Sequence, residues 1–276
     1  MGHETCPTKT LKGKPENIPN LIKLANCRDH GHMDVSDECL ISKNSSYATK
    51  ATHLEIASKQ APSYKEAPVL EYAKKRNFDY GYSNNHHVSG LSKYISHRIL
   101  SEYELIRDVL LNHSYQKVEK FIQEIFWRIY WKGWMENRPA VWRNFISVKD
   151  YKYDNETYEK AINGNSELVF FNSWVNELKT YNYLHNHTRM WFASTWIFNL
   201  GLPWQLGATF FFKHLYDGDA ASNLLSWRWV AGLQTKGKQY LFSPSNLRRF
   251  SNNRFNVEKI NNRQILHEEL NQIPYE

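Results

Sequence analysis

The chain has 276 residues and a formal net charge of +7; aromatic residues make up 15% of it, with only 12 glycines and 3 cysteines. This length can bury a sizeable core, and the composition excludes disordered, collagen-like and disulfide-framework proteins. All ten tryptophans fall between Trp127 and Trp229, so the aromatic excess belongs to one region. The chain has neither a GxGxxG motif nor a Walker-type lysine loop, which argues against a Rossmann domain or a P-loop.

The first 68 residues are polar and punctuated by prolines, and they predict an irregular arm with short helices. The three cysteines lie in the first forty residues without a preceding signal peptide, which favours a reducing compartment. Cys27, His30, His32 and Cys39 contain suitable metal ligands, but their spacing matches no standard zinc pattern. We therefore expect no metal.

Residues 69–276 form the second predicted domain, in which helical periodicity prevails and no alternating pattern indicates a sheet. The expected fold class is all-α. The predicted helices cover residues 91–111, 115–134, 170–179, 187–199 and 204–216. The apolar stretch 190–212 is long enough to span a bilayer, but Gly201 and Pro203 interrupt it, which favours two buried helices joined by a turn.

The helix predicted over 115–134 has two distinct faces. The first repeats apolar residues at intervals of three and four and predicts a core stripe of Tyr115, Val118, Phe121, Ile122, Ile125, Phe126 and Ile129. The second carries Glu124, Trp127, Arg128 and Trp131, one turn apart. It is either a solvated flank or one wall of a pocket for a flat, charged ligand.

Basic residues concentrate in one segment, residues 228–263, which holds eight lysines and arginines and a single acid. Such a segment is either a solvated basic surface or a phosphate-contacting one.

Four short segments resemble motifs of the DNA photolyase and cryptochrome family. They are 89–94 (SGLSKY), 124–128 (EIFWR), 185–190 (HNHTRM) and 217–223 (DGDAASN), the last followed by Trp227 and Trp229. Together they cover about residues 70–250 in the family's order. Members normally also carry an N-terminal α/β domain that holds an antenna chromophore. The chain resembles the helical flavin domain with a short arm of its own, so no antenna chromophore is expected in it.

The resemblance implies that the cofactor is FAD, active as FADH−. The implied FAD-binding residues are Tyr72, Ser89, Leu91, Ser92, Arg128, Asn186, Arg189, Asp217, Asp219 and Asn223. Arg128 would meet the pyrophosphate, because a guanidinium gives bidentate contacts to phosphate. Arg189 and Asp217 would form an ion pair over the isoalloxazine. Asn223 stands where photolyases place the residue facing flavin N5.

The resemblance also implies a pocket for a flipped-out cyclobutane pyrimidine dimer, lined by Glu124, Trp127, Asn186, Met190 and Trp229. Trp227, Trp204 and Tyr151 match the inner, middle and outer places of the chain of residues that photoreduces the flavin, with Tyr153 or another indole left open as the outer donor. The implied DNA contacts are Lys236, Lys238, Arg248, Arg249 and Arg254. His185 and His187 lie one residue away from the histidine positions of (6-4) photolyases, so we predict structural roles for both.

The implied function is deoxyribodipyrimidine photo-lyase activity, a carbon–carbon lyase reaction in which light drives an electron from FADH− to the dimer. Two alternatives stay open: a cryptochrome-like blue-light photoreceptor without repair activity, and a flavin-binding accessory subunit. We expect a monomer that acts on UV-damaged DNA, single- or double-stranded, and does not bind membranes. The expected location is the cytoplasm, with a nucleus or an organelle left open.

Overall fold

The structure is a computed structural model that describes residues 67–148, 150–235, 238–255, 257 and 260–262. Residues 1–66 of the predicted arm, including Cys27, His30, His32 and Cys39, lie outside the described residues. The last two arm residues belong to a short helix, Ala67–Leu70, that runs across the predicted boundary, and the boundary itself stays a prediction.

The described residues form helices and connecting loops, with no strand among them, which confirms the all-α prediction. The α-helices in chain order are α1 (Ala67–Leu70), α2 (Tyr72–Lys75), α3 (Ser92–Ser96), α4 (Glu102–Asn112), α5 (Tyr115–Glu136), α6 (Pro139–Ser147), α7 (Asn155–Asn163), α8 (Val169–Tyr181), α9 (Asn186–Ser194), α10 (Trp204–His214), α11 (Ala220–Val230) and α12 (Pro244–Phe250). A 3-10 turn (Tyr82–Asn84) and a π-helical turn (Thr195–Asn199) complete the set.

The single helix predicted over 91–111 was wrong, because the structure has two helices there, α3 and α4. Arg98 adopts a left-handed conformation with φ 55°, which an α-helix does not accommodate. Ser101 then starts α4 with a capping box: its hydroxyl accepts from the Glu104 amide at 3.2 Å, and the Glu104 carboxylate accepts from the Ser101 amide at 3.2 Å.

The long helix α5 buries a narrower stripe than its sequence predicts. Val118, Phe121, Ile122 and Ile125 lie in the core, where they join residues of α4. By contrast, the side chains of Tyr115, Phe126 and Ile129 are about half exposed, so their assignment to the core was wrong. Helix α5 packs against α1, α2, α4, α6 and α11, and these contacts leave the three side chains partly uncovered.

The apolar stretch 190–212 folds as two buried helical segments with a turn between them, as predicted. Gly201 has φ 68°, a left-handed conformation that glycine adopts without steric cost. The Trp196 indole closes the turn by donating to the Pro203 carbonyl at 2.9 Å. None of the helices that the structure describes combines the length and the apolarity needed to cross a membrane.

The interior is built largely from aromatic rings, including five fully buried tryptophans. These are Trp174, Trp191, Trp196, Trp204 and Trp227. Helices α10 and α11 approach each other closely at Gly207. A Cβ at this position would come within 2.2 Å of the Trp227 ring, so only glycine leaves room for the indole. The glycine thus sets where the Trp227 indole lies.

Candidate functional site

A cleft of about 700 Å³ opens between α5, α9, α10 and α11. Roughly 300–1,000 Å³ is typical of cofactor and ligand sites. All five residues predicted for the substrate pocket line it, namely Glu124, Trp127, Asn186, Met190 and Trp229. Six further predicted residues line it as well: Arg128, Arg189, Asp217, Asp219, Asn223 and Trp227. Segments up to about 100 residues apart in the chain thus meet around one opening.

A buried carboxylate lies at the floor of this cleft. Asp217 Oδ2 accepts from Arg189 Nη2 at 2.9 Å, so the predicted ion pair is present, and Arg128 Nη2 lies 4.0 Å away. Burial raises the pKa of Asp217, but the charges of Arg189 and Arg128 outweigh it, and the pKa lies below its ordinary value. The carboxylate is therefore ionised at neutral pH.

The two guanidinium groups are held in place by further hydrogen bonds. Arg189 Nε donates to the Leu184 carbonyl at 2.8 Å. Arg128 Nη1 donates to the Ser96 hydroxyl at 3.0 Å, and that hydroxyl donates to the Asp217 carbonyl at 3.0 Å. Two cations thus surround one carboxylate, which leaves a net positive charge suited to an anionic ligand.

Asp219 and Asn223, on either side of the first turn of α11, are anchored differently. Asp219 is the N-cap of α11, since its Oδ1 accepts from the Ser222 amide at 2.8 Å, while Lys132 Nζ lies 3.8 Å from its Oδ2. Asn223 Nδ2 donates to the Ala208 carbonyl at 2.9 Å, which fixes the amide and leaves its oxygen without a partner among the described residues. The Ser222 hydroxyl is buried and also lacks a partner there. These groups are available to a ligand in the cleft.

A second cavity of about 180 Å³ adjoins the cleft and shares Arg128, Arg189 and Asp217 with it. Its lining residues include the predicted Tyr72, Ser89 and Ser92. Leu91, also predicted for FAD binding, instead has its side chain in the core at 1% exposure, and its amide donates to the Ser89 hydroxyl at 3.4 Å. Leu91 therefore positions the loop and lines neither cavity.

One side of the cleft is an aromatic wall that sequence reasoning found only in part. Trp127 stacks on Trp131 with ring centroids 5.4 Å apart, and Trp134 lies one turn further along α5. Trp131, which the sequence places on the face that is either a solvated flank or a pocket wall, lines the cleft, and so does Trp134, which the sequence analysis did not identify. The spacing of 127, 131 and 134 is the signal that would have found Trp134, since i, i+4 and i+7 share one helix face.

Glu124 combines an ion pair with a free carboxylate oxygen. Its Oε1 lies 2.6 Å from Arg76 Nη1 and 3.0 Å from Lys120 Nζ. Its Oε2 has no partner within the described part of the chain and is free to accept a hydrogen bond. Sequence reasoning did not identify Arg76, which lies 48 residues upstream and gives no local signal.

The three residues predicted for electron transfer differ in their surroundings. Trp227 is buried and lines the cleft. Trp204 is buried and stacks on Phe145 at 5.8 Å. Tyr151 is partly buried, which raises its pKa to about 12, and its ring pairs with no other described aromatic ring. The structure thus brings Trp227 to the site, and the roles of Trp204 and Tyr151 stay predictions.

His185 and His187 lie in the interior and line neither cavity, in agreement with the predicted structural roles. His185 Nδ1 accepts from the His187 amide at 3.2 Å, and burial lowers the pKa of His185 to about 4. The His187 ring stacks on Trp191 at 4.4 Å. Both are therefore packing residues.

The basic segment divides into exposed and internal residues. Lys238, Arg248 and Arg249 are exposed, and Lys236 lies outside the described residues. Arg254 instead forms ion pairs, with Nη1 3.0 Å from Asp79 Oδ1 and Nη2 3.4 Å from Glu177 Oε2. Arg228, counted with the same segment, is only 4% exposed. The structure gives Arg254 and Arg228 roles inside the fold, which sequence position could not reveal.

The residues present fit FAD. The cleft has the size of a cofactor site, and its floor offers two fixed guanidinium groups, the unpartnered Asn223 amide oxygen and the buried Ser222 hydroxyl. The adjoining cavity adds serines beside Arg128, the donors that a pyrophosphate requires. Across the described ranges, no group of three or more histidine, cysteine or acidic side chains is arranged to hold a metal ion.

Comparison with known proteins gives consistent matches. The family model of the FAD binding domain of DNA photolyase matches residues 121–262. A deoxyribodipyrimidine photo-lyase of Buchnera aphidicola is 29% identical over 189 residues, which are 63% of this chain and 39% of the relative. A cryptochrome DASH of Idiomarina loihiensis is 29% identical over 114 residues, covering 40% of this chain and 25% of the relative.

Among solved structures, a class III photolyase from Agrobacterium tumefaciens superposes with a TM-score of 0.61 at 21% identity, over 71% of this chain and 42% of that one. A cryptochrome from Synechocystis sp. PCC6803 gives 0.60 at 19% identity, over 73% and 43%. The chain thus spans less than half the length of the relatives that it matches.

The family match covers the part of the chain that builds the cleft, and the fold agrees with the structures of relatives. The chain belongs to the photolyase and cryptochrome family and carries its FAD-binding helical domain.

Proposed function

We propose that the chain is a deoxyribodipyrimidine photo-lyase that repairs cyclobutane pyrimidine dimers in UV-damaged DNA. The observation that carries this proposal is that all five predicted dimer-pocket residues line one cleft together with Asp217, Asn223 and Trp227. When bound in its fully reduced form and excited by light, FADH− would supply the electron transfer that opens the cyclobutane ring, and the electron would then return to it. The chain itself has to bind, orient and shield the reactants.

The cleft wall suits a dimer turned out of the DNA helix. Trp127 and Trp229 expose 47% and 37% of their surface, so uncovered indole is available to stack on the two fused pyrimidines. Met190, which is partly buried, contributes a further apolar contact in the cleft. Stacking of this kind accepts any flat, uncharged ligand and therefore needs hydrogen bonds for selectivity.

Two polar side chains supply those hydrogen bonds. Asn186, the first residue of α9, is exposed in the cleft, and its amide both donates and accepts. The Glu124 Oε2 atom accepts from a pyrimidine N–H, while Arg76 holds the carboxylate through Oε1. Arg76 is thus a positioning residue.

The Arg189–Asp217 pair stabilises charge in the cofactor site. A reduced, anionic flavin is favoured beside a guanidinium, and the buried carboxylate keeps that guanidinium in place. The Asn223 amide, fixed by its hydrogen bond to Ala208, lines the same cleft. It favours the reduced flavin over the oxidised flavin. No general acid or nucleophile is needed, and none is assigned.

The exposed residues Lys238, Arg248 and Arg249 are proposed to contact DNA phosphates, with Lys236 added from the sequence. Lys238 follows closely on Thr235, which lines the cleft. Arg254 is left out of this proposal because of its ion pairs with Asp79 and Glu177.

The test is repair of dimer-containing oligothymidylate by chemically reduced protein under blue light. Absorbance in the thymine band should recover in the light and stay constant in the dark or with oxidised flavin. If fully reduced, flavin-loaded protein gives no recovery in light, the repair proposal is wrong. Light-dependent flavin reduction without any recovery would then indicate the photoreceptor alternative.

A further inference from the structure

A line of aromatic rings leads from the cleft to the protein surface by a route that uses neither Trp204 nor Tyr151. The Trp227 ring meets the Trp196 ring edge-on, with centroids 6.3 Å apart and planes at 85°. Trp196 meets Tyr158 at 6.0 Å and 89°, and Tyr158 meets Tyr153 at 5.3 Å and 64°. Each step joins rings in edge-to-face contact.

The burial of these rings decreases from Trp196 outward. Trp227 and Trp196 are 2% and 0% exposed, Tyr158 is partly exposed, and Tyr153 is 37% exposed. Trp227 also lines the cleft in which the cofactor binds. The line therefore joins the cofactor site to solvent without a gap.

We propose that this line, Trp227–Trp196–Tyr158–Tyr153, is an electron path that reduces the flavin in light. The inference rests on the proposed light-driven chemistry. An electron leaves Trp227 for the excited flavin, Trp196 re-reduces Trp227, and Tyr158 re-reduces Trp196. Tyr158 is in turn reduced by Tyr153.

The charge balance closes at the surface. A phenol that loses an electron becomes strongly acidic, so the Tyr153 proton passes to water and a neutral tyrosyl radical remains. A thiol in solution then returns one electron and one proton to Tyr153. The net transfer is one electron from thiol to flavin, with one proton released to water.

Ground-state chemistry agrees with this order of steps. Burial raises the pKa of Tyr158, with the neighbouring Tyr153 acting in the same direction, so the phenol keeps its proton until an electron is withdrawn. On oxidation Tyr158 passes this proton to water and becomes an uncharged radical, and it takes one proton back from water when Tyr153 returns the electron. No cation is buried, and the net balance is unchanged.

Electron paramagnetic resonance after illumination tests the path, because it identifies the radical independently of any repair. Flavin-loaded protein with ring-deuterated tyrosine should show a tyrosyl radical with a narrowed spectrum. The variants Trp196→Phe and Tyr158→Phe should lose this signal, and the rate of flavin photoreduction with a thiol present should fall several-fold. Trp174→Phe, an equally buried tryptophan outside the path, is the matched control and should retain both.

Tyr158→Phe removes a single hydroxyl and keeps the ring, so it serves where Trp196→Phe disturbs folding. An unchanged tyrosyl signal and rate in Tyr158→Phe would overturn the proposal, as would loss of the signal in Trp204→Phe alone. Failure of dimer repair by chemically reduced wild-type protein would refute the proposed function and leave this result standing.

Discussion

The tryptophans of the cleft wall and those of the interior are the same side chain in opposite surroundings. Trp127 and Trp229 keep 47% and 37% of their surface exposed, whereas Trp174 and Trp196 expose none. A buried indole stabilises the fold through the area that it removes from water. A half-exposed indole in a concave site has apolar area that a ligand covers instead. Substitution of an interior tryptophan should therefore lower stability, whereas substitution of a cleft tryptophan should mainly weaken ligand binding.

The largest effect is expected in the interior. Trp174→Ala removes a fully buried indole that contacts Trp191 and Phe242, and it should lower the free energy of unfolding by about 3–5 kcal/mol. Denaturant unfolding with circular dichroism measures it. A loss below about 1 kcal/mol would contradict the assignment of this indole to a packed core.

Loss of the ion pair at the cleft floor should affect both stability and cofactor binding. Asp217→Asn leaves Arg189 without its charge partner. This should lower the free energy of unfolding by about 2–3 kcal/mol once the partial exposure of Arg189 is allowed for. Flavin occupancy of the purified protein should fall sharply, and its flavin-to-protein absorbance ratio measures it. Asp154→Asn, which changes an exposed N-cap carboxylate in α7, is the control and should retain full occupancy.

The interior should also set the pH dependence of stability. The pKa of His185 is about 4, against an ordinary 6.5, because burial outweighs the attraction of Asp79. At His185 the unfolded chain therefore takes up a proton near pH 6.5, whereas the folded chain takes it up only near pH 4. The free energy of unfolding falls as the pH falls between these two values. Glu177 acts oppositely, since burial raises its pKa to about 7.

Comparison with His185→Asn isolates the histidine, because asparagine keeps a capping acceptor at the start of α9. Wild-type stability should fall more steeply than that of the variant between pH 6 and 4.5, by at most about 1.4 kcal/mol per pH unit. Parallel pH profiles would show that the pKa of His185 is the same in the folded and the unfolded chain.

A substitution in the cleft wall should weaken binding and leave stability nearly unchanged. Trp127→Ala should weaken binding of a dimer-containing oligonucleotide by about 1–3 kcal/mol, or about fivefold to a hundredfold, through lost stacking. Its free energy of unfolding should change by less than about 1 kcal/mol, because the ring is half exposed. Fluorescence anisotropy and denaturant unfolding measure the pair. If Trp127→Ala binds the oligonucleotide normally but is clearly less stable than wild type, Trp127 belongs to the packed core and not to the binding wall.

The smallest effect concerns the basic segment. Arg248→Ala and Arg249→Ala should each lower the slope of log affinity against log salt by about one, as expected for phosphate contacts. Arg254→Ala should leave that slope unchanged and lower stability, because its guanidinium pairs with the fully buried Asp79. Equal slopes for all three variants and wild type would place the DNA elsewhere.

The sequence was enough to predict the helical class, the turn at Gly201 and the five pocket residues that line the cleft, because helical periodicity and four local motifs carry that information. It did not predict the break at Arg98, where backbone conformation and the Ser101 cap override apolar spacing. Nor could it separate Arg254 from Arg248, since only the fold brings Asp79 to one of them. Arg76 was missed for the same reason, as its contact with Glu124 is long-range.

The most direct test of the central claim counts thymines restored per absorbed photon, with chemically reduced wild type and Trp127→Ala measured side by side at equal flavin content. We predict efficient repair by the wild type and a much lower yield for Trp127→Ala at limiting substrate. No restored thymine from wild-type protein that binds reduced flavin and damaged DNA would contradict the account.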